Sequence, residues 1–123
     1  MGRDMSKRWI GVDLDGTLAY STTPGKIGKP VPAMLKRVKD TIEAGTEVRI
    51  FTARAMNADG IATVRKWLKA NDLAGLPVTN VKDGGMLELW DDRARRVVRD
   101  KGAFCAGCDK ENFARAATVL TDC

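Results

Sequence analysis

The chain has 123 residues, which fits one compact domain over 1–123 and leaves no room for two. Hydrophobic residues make up 44% of it and charged residues 30%, as in ordinary soluble globular proteins. No apolar run approaches the roughly 20 residues of a membrane helix, and the polar start, Met1–Arg8, lacks the apolar stretch of a signal peptide. We therefore expect a cytoplasmic protein without a membrane partner.

The formal net charge is +5, and basic residues crowd into one part of the chain: Arg93, Arg95, Arg96, Arg99 and Lys101. A basic balance favours anionic partners such as phosphates or nucleic acid. A charge run is also typical of a solvated helix face. The three cysteines include one C-x-x-C pair, Cys105 and Cys108, and the chain has no histidine to complete a zinc site. We expect reduced thiols.

In chain order, Trp9–Val12 has the pattern of a short buried strand that runs into Asp13. The segment 19–31, rich in Gly, Pro and Lys, is predicted to be a flexible flap. The apolar spacing predicts a helix over Pro32–Ala44, with proline in its first turn and Gly45 at its C-terminal cap.

A second strand is predicted over Glu47–Phe51, ending at Thr52. Asp59 is the predicted cap of a second helix that ends at about Ala70. A third strand is predicted over Leu76–Val81, interrupted near its start by Pro77.

The fourth predicted strand is Met86–Trp90, and a short helix is predicted over Arg93–Asp100. Residues 101–108 are predicted to be a loop, and Asp109 to cap a final helix, so that 103–123 form a C-terminal loop and helix. The apolar positions that align on that final helix are Phe113, Ala116, Ala117 and Leu120.

Strands that alternate with helices predict a Rossmann-like, three-layer α/β/α sandwich with a mostly parallel central sheet and helices on both faces. Right-handed connections gather the residues after each strand on one edge of such a sheet, which is the expected site. The polar residues expected there are Asp13, Asp15, Thr52, Lys82, Asp91 and Asp92.

The strongest chemical signal is the run Asp-Leu-Asp-Gly-Thr-Leu from Asp13, directly after a buried strand. Gly16 permits the chain to turn there. Carboxylates forced together at a strand end are costly unless a cation lies between them, and Asp91 and Asp92 supply further carboxylates. Mg²⁺ is the natural cation, because it prefers carboxylate and carbonyl oxygens.

Thr52 and Lys82 each follow a predicted strand between these acidic elements. A hydroxyl with backbone N–H groups can hold a phosphate, and a lysine can neutralise its charge. Together with a magnesium site, these groups suit phosphoryl transfer, in which positioning and charge neutralisation supply most of the catalysis.

The same elements resemble the four motifs of the haloacid dehalogenase superfamily, in the family's order, over about residues 9–98. Motif one is Asp-Leu-Asp-Gly-Thr-Leu, motif two Val-Arg-Ile-Phe-Thr-Ala-Arg, motif three Val-Thr-Asn-Val-Lys-Asp and motif four Leu-Trp-Asp-Asp-Arg-Ala. One departure is that Asp83 follows the motif-three lysine, where many relatives have proline.

The resemblance implies that Asp13 attacks phosphorus and forms an aspartyl-phosphate, while Asp15 protonates the leaving group and then activates water. It implies Mg²⁺ bound by Asp13, the backbone carbonyl of Asp15 and Asp92, with Asp91 bound through water or as an outer partner; which acid of the pair touches the metal stays open. Thr52 and Lys82 would grip the phosphoryl group, and the presence of Asp15 favours phosphatases over dehalogenases.

Residues beside the motifs are expected near the substrate: Gly16, Thr17, Ala53, Arg54 and Arg93. For the two arginines, an ion pair with the aspartates is an equally good interpretation.

Neither cap insertion point of the superfamily has room for a cap domain here. The chain therefore resembles the capless members, whose sites are open or are closed by a neighbouring subunit, which makes a homo-oligomer one expectation. Such relatives often take large anionic substrates, and a nucleotide or nucleic-acid end is the expected phosphorylated substrate. The alternative is a non-catalytic phosphate- or magnesium-binding module, either receiver-like or a catalytically dead member.

Overall fold

The structure is a computed structural model that describes residues 7–109. It divides into two compact units, of which the first ends at Asp92 and the second begins at Arg93. Within the described range, no helix has both the length and the apolar character needed to cross a membrane.

The first unit contains a four-stranded sheet in which every neighbouring pair of strands is parallel. Its strands are β1 (Trp9–Val12), β2 (Glu47–Phe51), β3 (Val78–Thr79) and β4 (Met86–Trp90). Their order across the sheet is β3-β2-β1-β4, so β1 is paired on both sides. The predicted α/β class with a parallel, Rossmann-like sheet is confirmed.

Two helices lie in the connections between these strands: α1 (Pro32–Glu43) between β1 and β2, and α2 (Ala58–Ala70) between β2 and β3. A short 3-10 helix, Ala53–Met56, precedes α2. Both connections step in the same direction along the sheet, so right-handed crossovers place α1 and α2 on one face. Residues 80–85 join β3 to β4 without a helix, and the first unit therefore does not itself form the second helical layer of the predicted sandwich.

The hydrophobic core lies between the sheet and this helical face. Alternate residues of β2 point into it, which gives the strand its buried and half-buried alternation. Burial of one large aliphatic side chain contributes about 1.5–3 kcal/mol to stability. The buried members of the core are Val12, Leu14, Leu18, Ala19, Val38, Val48, Ile50, Val64, Leu68 and Leu73.

The other face of the sheet is covered around Trp9, whose side chain is fully buried. The guanidinium carbon of Arg49 lies 4.4 Å from the centre of the indole ring, a cation–π contact. The indole Nε1 donates a hydrogen bond of 2.8 Å to Asp83, which ties the loop before β4 to this face.

The differences from the predicted cap of α2 and the predicted extent of β3 have local reasons. The cap of α2 is Asn57 rather than Asp59, because the Asn57 side chain accepts a hydrogen bond of 2.8 Å from the N–H of Gly60. The third strand is only Val78–Thr79, since Pro77 before it has no N–H to donate to a ladder.

The predicted helix over Arg93–Asp100 is wrong. Val97 instead pairs antiparallel with Phe104, and Asp100 takes a left-handed conformation with φ of 62° in the turn between them. Arg95 and Arg99 would repel each other at the i,i+4 spacing of a helix. In the structure, the guanidinium of Arg95 lies over the Phe104 ring, 3.8 Å from its centre.

The predicted loop over 101–108 is also revised, since its end begins a short helix, α3 (Ala106–Asp109). Asp109 therefore lies inside a helix and not at its cap, and the rest of the predicted final helix lies outside the described residues.

Candidate active site

The candidate site lies at the carboxyl edge of the sheet. Asp13 follows β1, Thr52 follows β2 and Asp91 follows β4. Because β1 lies between β2 and β4, Asp13 takes the central position. Its backbone N–H donates a hydrogen bond of 2.9 Å to the carbonyl of Trp90, which ties the loop after β1 to the end of β4.

Three carboxylates meet at this point. One oxygen each from Asp13, Asp91 and Asp92 lies within 4.8 Å of the others, with the first two half-buried and Asp92 exposed. The structure thus brings together the three predicted metal ligands that would bind through their side chains. The fourth, Asp15, was predicted to bind through its backbone carbonyl, and its side chain pairs with Arg54.

The surroundings of Asp13 disfavour the negative charge of its carboxylate. Burial, a hydrogen bond with Asp92, and the negative charges of Asp91 and Asp92 raise the pKa of Asp13 to about 7, against the lowering effect of a bond from the Leu14 N–H. A divalent cation bound among the three carboxylates would offset both the cost of burial and the repulsion between their charges. Carboxylate oxygens are hard ligands, so this donor set fits Mg²⁺.

Asp15 forms a two-pronged ion pair with Arg54. The guanidinium Nε and Nη2 donate to its two oxygens at 2.7 and 2.9 Å. Hydrogen bonding and charge from Asp15 raise the pKa of Arg54. Nη2 also donates to the Lys26 carbonyl at 2.8 Å. Of the two interpretations given by the sequence, the ion pair of Arg54 is therefore present.

Gly16 and Thr17 hold Asp92 in place, a role that the sequence prediction missed. A Cβ on Gly16 would lie 2.7 Å from the Oδ2 of Asp92, and the backbone there has φ of +89°. The Thr17 hydroxyl donates to Oδ1 of Asp92 and accepts from its N–H, both at 3.1 Å. The sequence predicted that motifs one and four share one edge of the sheet, but not that Gly16 and Thr17 contact Asp92.

Thr52 is buried, and its hydroxyl oxygen accepts a hydrogen bond of 3.1 Å from the N–H of Arg54, which caps the 3-10 helix. A hydroxyl that accepts in this way keeps its own O–H to donate. Ala53 is exposed and begins that helix.

Lys82 is exposed, and it forms no hydrogen bond or ion pair with the residues that the structure describes. The residues just after Lys82 are fixed at the opposite edge of the sheet, where β4 and β1 begin. The Asp83 carbonyl accepts a hydrogen bond of 3.2 Å from the N–H of Met86, and the Gly85 carbonyl accepts one of 2.9 Å from the N–H of Trp9. The structure does not bring Lys82 into contact with the three carboxylates. Arg93, the other arginine expected near the site, is the first residue of the second unit.

The flap, residues 19–31, is anchored at several points. Ala19 and Pro30 pair as an antiparallel bridge that closes its base. The Trp67 indole donates a hydrogen bond of 2.8 Å to the carbonyl of Gly28, and Arg54 donates one to the carbonyl of Lys26. Arg54 therefore both anchors the flap and pairs with Asp15.

Comparisons with known proteins support the fold alone. No protein-family model and no curated protein matches the chain. The chain is similar to one solved structure, described as the conserved protein coded by a locus from Bacteroides thetaiotaomicron, with a TM-score of 0.57 and 18% identity. The match covers 92% of this chain and 99% of the other. At this identity the likeness establishes a shared architecture, a small α/β fold.

Proposed function

We propose that the chain is a magnesium-dependent phosphomonoester hydrolase of the haloacid dehalogenase type. The observation that carries the proposal is the meeting of Asp13, Asp91 and Asp92 at the carboxyl edge of the parallel sheet, with the pKa of Asp13 raised to about 7. Such crowding of carboxylates is costly in a purely structural site and suits a cation-dependent one. The proposed compartment is the cytoplasm.

Asp13, Asp91 and Asp92 would hold Mg²⁺, together with the backbone carbonyl of Asp15. When bound, the ion supplies neutralisation of the negative charge on the phosphoryl oxygens. With the ion bound, the Asp13 carboxylate would stay deprotonated, as a nucleophile must be.

In the first step, an oxygen of Asp13 attacks phosphorus and forms an aspartyl-phosphate, while the bond from phosphorus to the leaving oxygen breaks. A proton passes from Asp15 to that oxygen. In the second step, Asp15 takes a proton from water, the water oxygen attacks phosphorus, and the Asp13 carboxylate leaves. The Thr52 hydroxyl, beside these groups at the end of β2, would donate to a phosphoryl oxygen.

The proposed substrate is a nucleotide or the phosphorylated end of a nucleic acid. The net charge of +5 favours an anionic substrate. No insertion of domain size lies between the motifs, since a single helix separates β1 from β2 and a 3-10 helix with α2 separates β2 from β3. A site without a cap suits a substrate with a large leaving group.

The test is hydrolysis of an aryl phosphate with Mg²⁺ or with EDTA, comparing wild type with Asp13→Asn. We expect turnover that requires metal and falls by at least 1,000-fold in the variant, on the order of the loss of a covalent nucleophile. Asp40→Asn, which changes an exposed carboxylate on α1, is the matched control and should keep full activity. Undiminished hydrolysis by Asp13→Asn would rule out the aspartyl-phosphate route.

One observation favours a second candidate, a non-catalytic phosphate- or magnesium-binding module. Both oxygens of Asp15 are engaged by Arg54, and a general acid must give up such a partner before it can protonate a leaving group. The module would take a phosphoryl group onto Asp13 from a small phosphodonor and keep it. A phosphoprotein that survives for hours, in place of rapid phosphate release, would identify this candidate.

A further inference from the structure

Binding a phosphoryl group at the edge that carries Asp13 requires a positively charged side chain in addition to any metal. Lys82, the lysine that the family resemblance assigns to this role, is exposed in a loop whose next residues are fixed at the opposite edge. Arg54, in contrast, lies in the 3-10 helix just after β2 and Thr52, and it is bonded to Asp15 of the Asp-x-Asp motif.

The guanidinium of Arg54 is fixed in position, but some of its N–H donors have no partner among the described residues. Its Nε and Nη2 bond to Asp15, and Nη2 also to the flap carbonyl of Lys26. Within residues 7–109, Nη1 with its two N–H donors forms no hydrogen bond, and the side chain keeps 23% of its surface exposed. A fork that matches a carboxylate also matches two oxygens of a phosphate.

We propose that Arg54, in place of Lys82, is the side chain that binds the phosphoryl group of the substrate. This inference rests on the proposed function and names the cation of that site. Asp15 and the flap fix the orientation of the guanidinium, which lowers the entropy that an arginine loses when it grips an anion. A dianion that binds the guanidinium also competes with Asp15 for it, and so releases the carboxylate that is to handle the leaving group.

The experiment measures binding of inorganic phosphate by calorimetry in the presence of Mg²⁺, with no turnover involved. The variants are Arg54→Gln, Arg54→Lys and Lys82→Met, with Arg37→Gln on the exposed side of α1 as the control. We expect Arg54→Gln to weaken phosphate binding by about 100-fold, as for loss of a charge-assisted contact made by the two Nη1 donors. Lys82→Met should weaken binding at least ten times less, and Arg37→Gln should bind as wild type does.

Arg54→Lys keeps the charge and loses the fork, so its phosphate affinity should lie between those of wild type and Arg54→Gln. This variant also guards against a glutamine variant that fails to fold. Binding by Arg54→Gln within threefold of wild type, a larger loss in Lys82→Met, or no phosphate binding by wild type would each overturn the inference. Failure of the proposed function appears separately, as the absence of metal-dependent hydrolysis that Asp13→Asn removes.

Discussion

Replacing Asp13 by asparagine should make the metal-free protein more stable at neutral pH, although it removes the proposed nucleophile. The folded chain holds the pKa of Asp13 at about 7, against an ordinary value of 3.8. Between these values the folded state binds more protons than the unfolded state, so stability falls as pH rises from about 4 to about 7. Asparagine carries no charge and does not suffer this loss.

The size of the effect follows from the two pKa values. Each pKa unit corresponds to 1.36 kcal/mol, which gives about 4 kcal/mol above pH 7 as an upper limit. The carboxyl is only half-buried, and solvent screening reduces this to about 1–2 kcal/mol. For a domain of this size, that free energy raises the unfolding temperature by about 4–8 °C.

The assay is thermal unfolding in EDTA, followed by circular dichroism, at pH 8 and at pH 5. We expect Asp13→Asn to unfold at the higher temperature at pH 8, with less than half of that difference at pH 5. Asp40→Asn should stay within about 0.5 kcal/mol of wild type at both, since it alters one exposed helix pair. An Asp13→Asn variant no more stable than wild type at pH 8 would refute the reasoning that burial and the neighbouring carboxylates disfavour the charged form of Asp13.

Three further substitutions test the surroundings of the site. Gly16→Ala should abolish Mg²⁺ binding by calorimetry, because its Cβ would push Asp92 away, while costing about 1–2 kcal/mol in chemical denaturation; unchanged affinity would contradict the close contact. Trp67→Phe loses the hydrogen bond to Gly28, so trypsin should cleave the flap several-fold faster than in wild type. Equal cleavage rates in the two proteins would contradict the role of this bond in anchoring the flap. Leu68→Ala should cost about 2–5 kcal/mol in urea unfolding, and a loss under 1 kcal/mol would mean that the core between α2 and the sheet is loosely packed.

The sequence indicated those parts of the fold that repeat a regular pattern. β1, β2 and β4 have the predicted bounds, and α1 differs by one residue at its end. Apolar runs and helical periodicity in a sequence indicate which residues are buried, so they predict the elements that pack against the core. The 93–100 segment failed because Val97 and Phe104 pair across a turn, and pairing between separate residues leaves no periodic trace.

In the candidate site too, the sequence predicted the features that follow from regular strands and left open or missed those that depend on side-chain contacts. That Asp13, Asp91 and Asp92 would meet followed from strand ends alone, since parallel strands bring their carboxyl ends to one edge. The ion pair of Asp15 with Arg54 was one of two interpretations, and geometry was needed to find it. The position of Lys82 depends on a loop without regular structure, for which spacing from the nearest strand is a poor guide.

The strand order also has a consequence for synthesis of the protein on the ribosome. Of the four strands in the described sheet, β1 emerges first, yet β4, one of its two neighbours, is made last. Thr17 and Asp92, which bond to each other across the site, are 75 residues apart in the chain. A nascent chain can thus pack α1 and α2 on half a sheet, but one side of β1 stays without its partner until Trp90 leaves the exit tunnel. The acidic cluster is assembled only at that moment, so its formation marks the completion of the first unit.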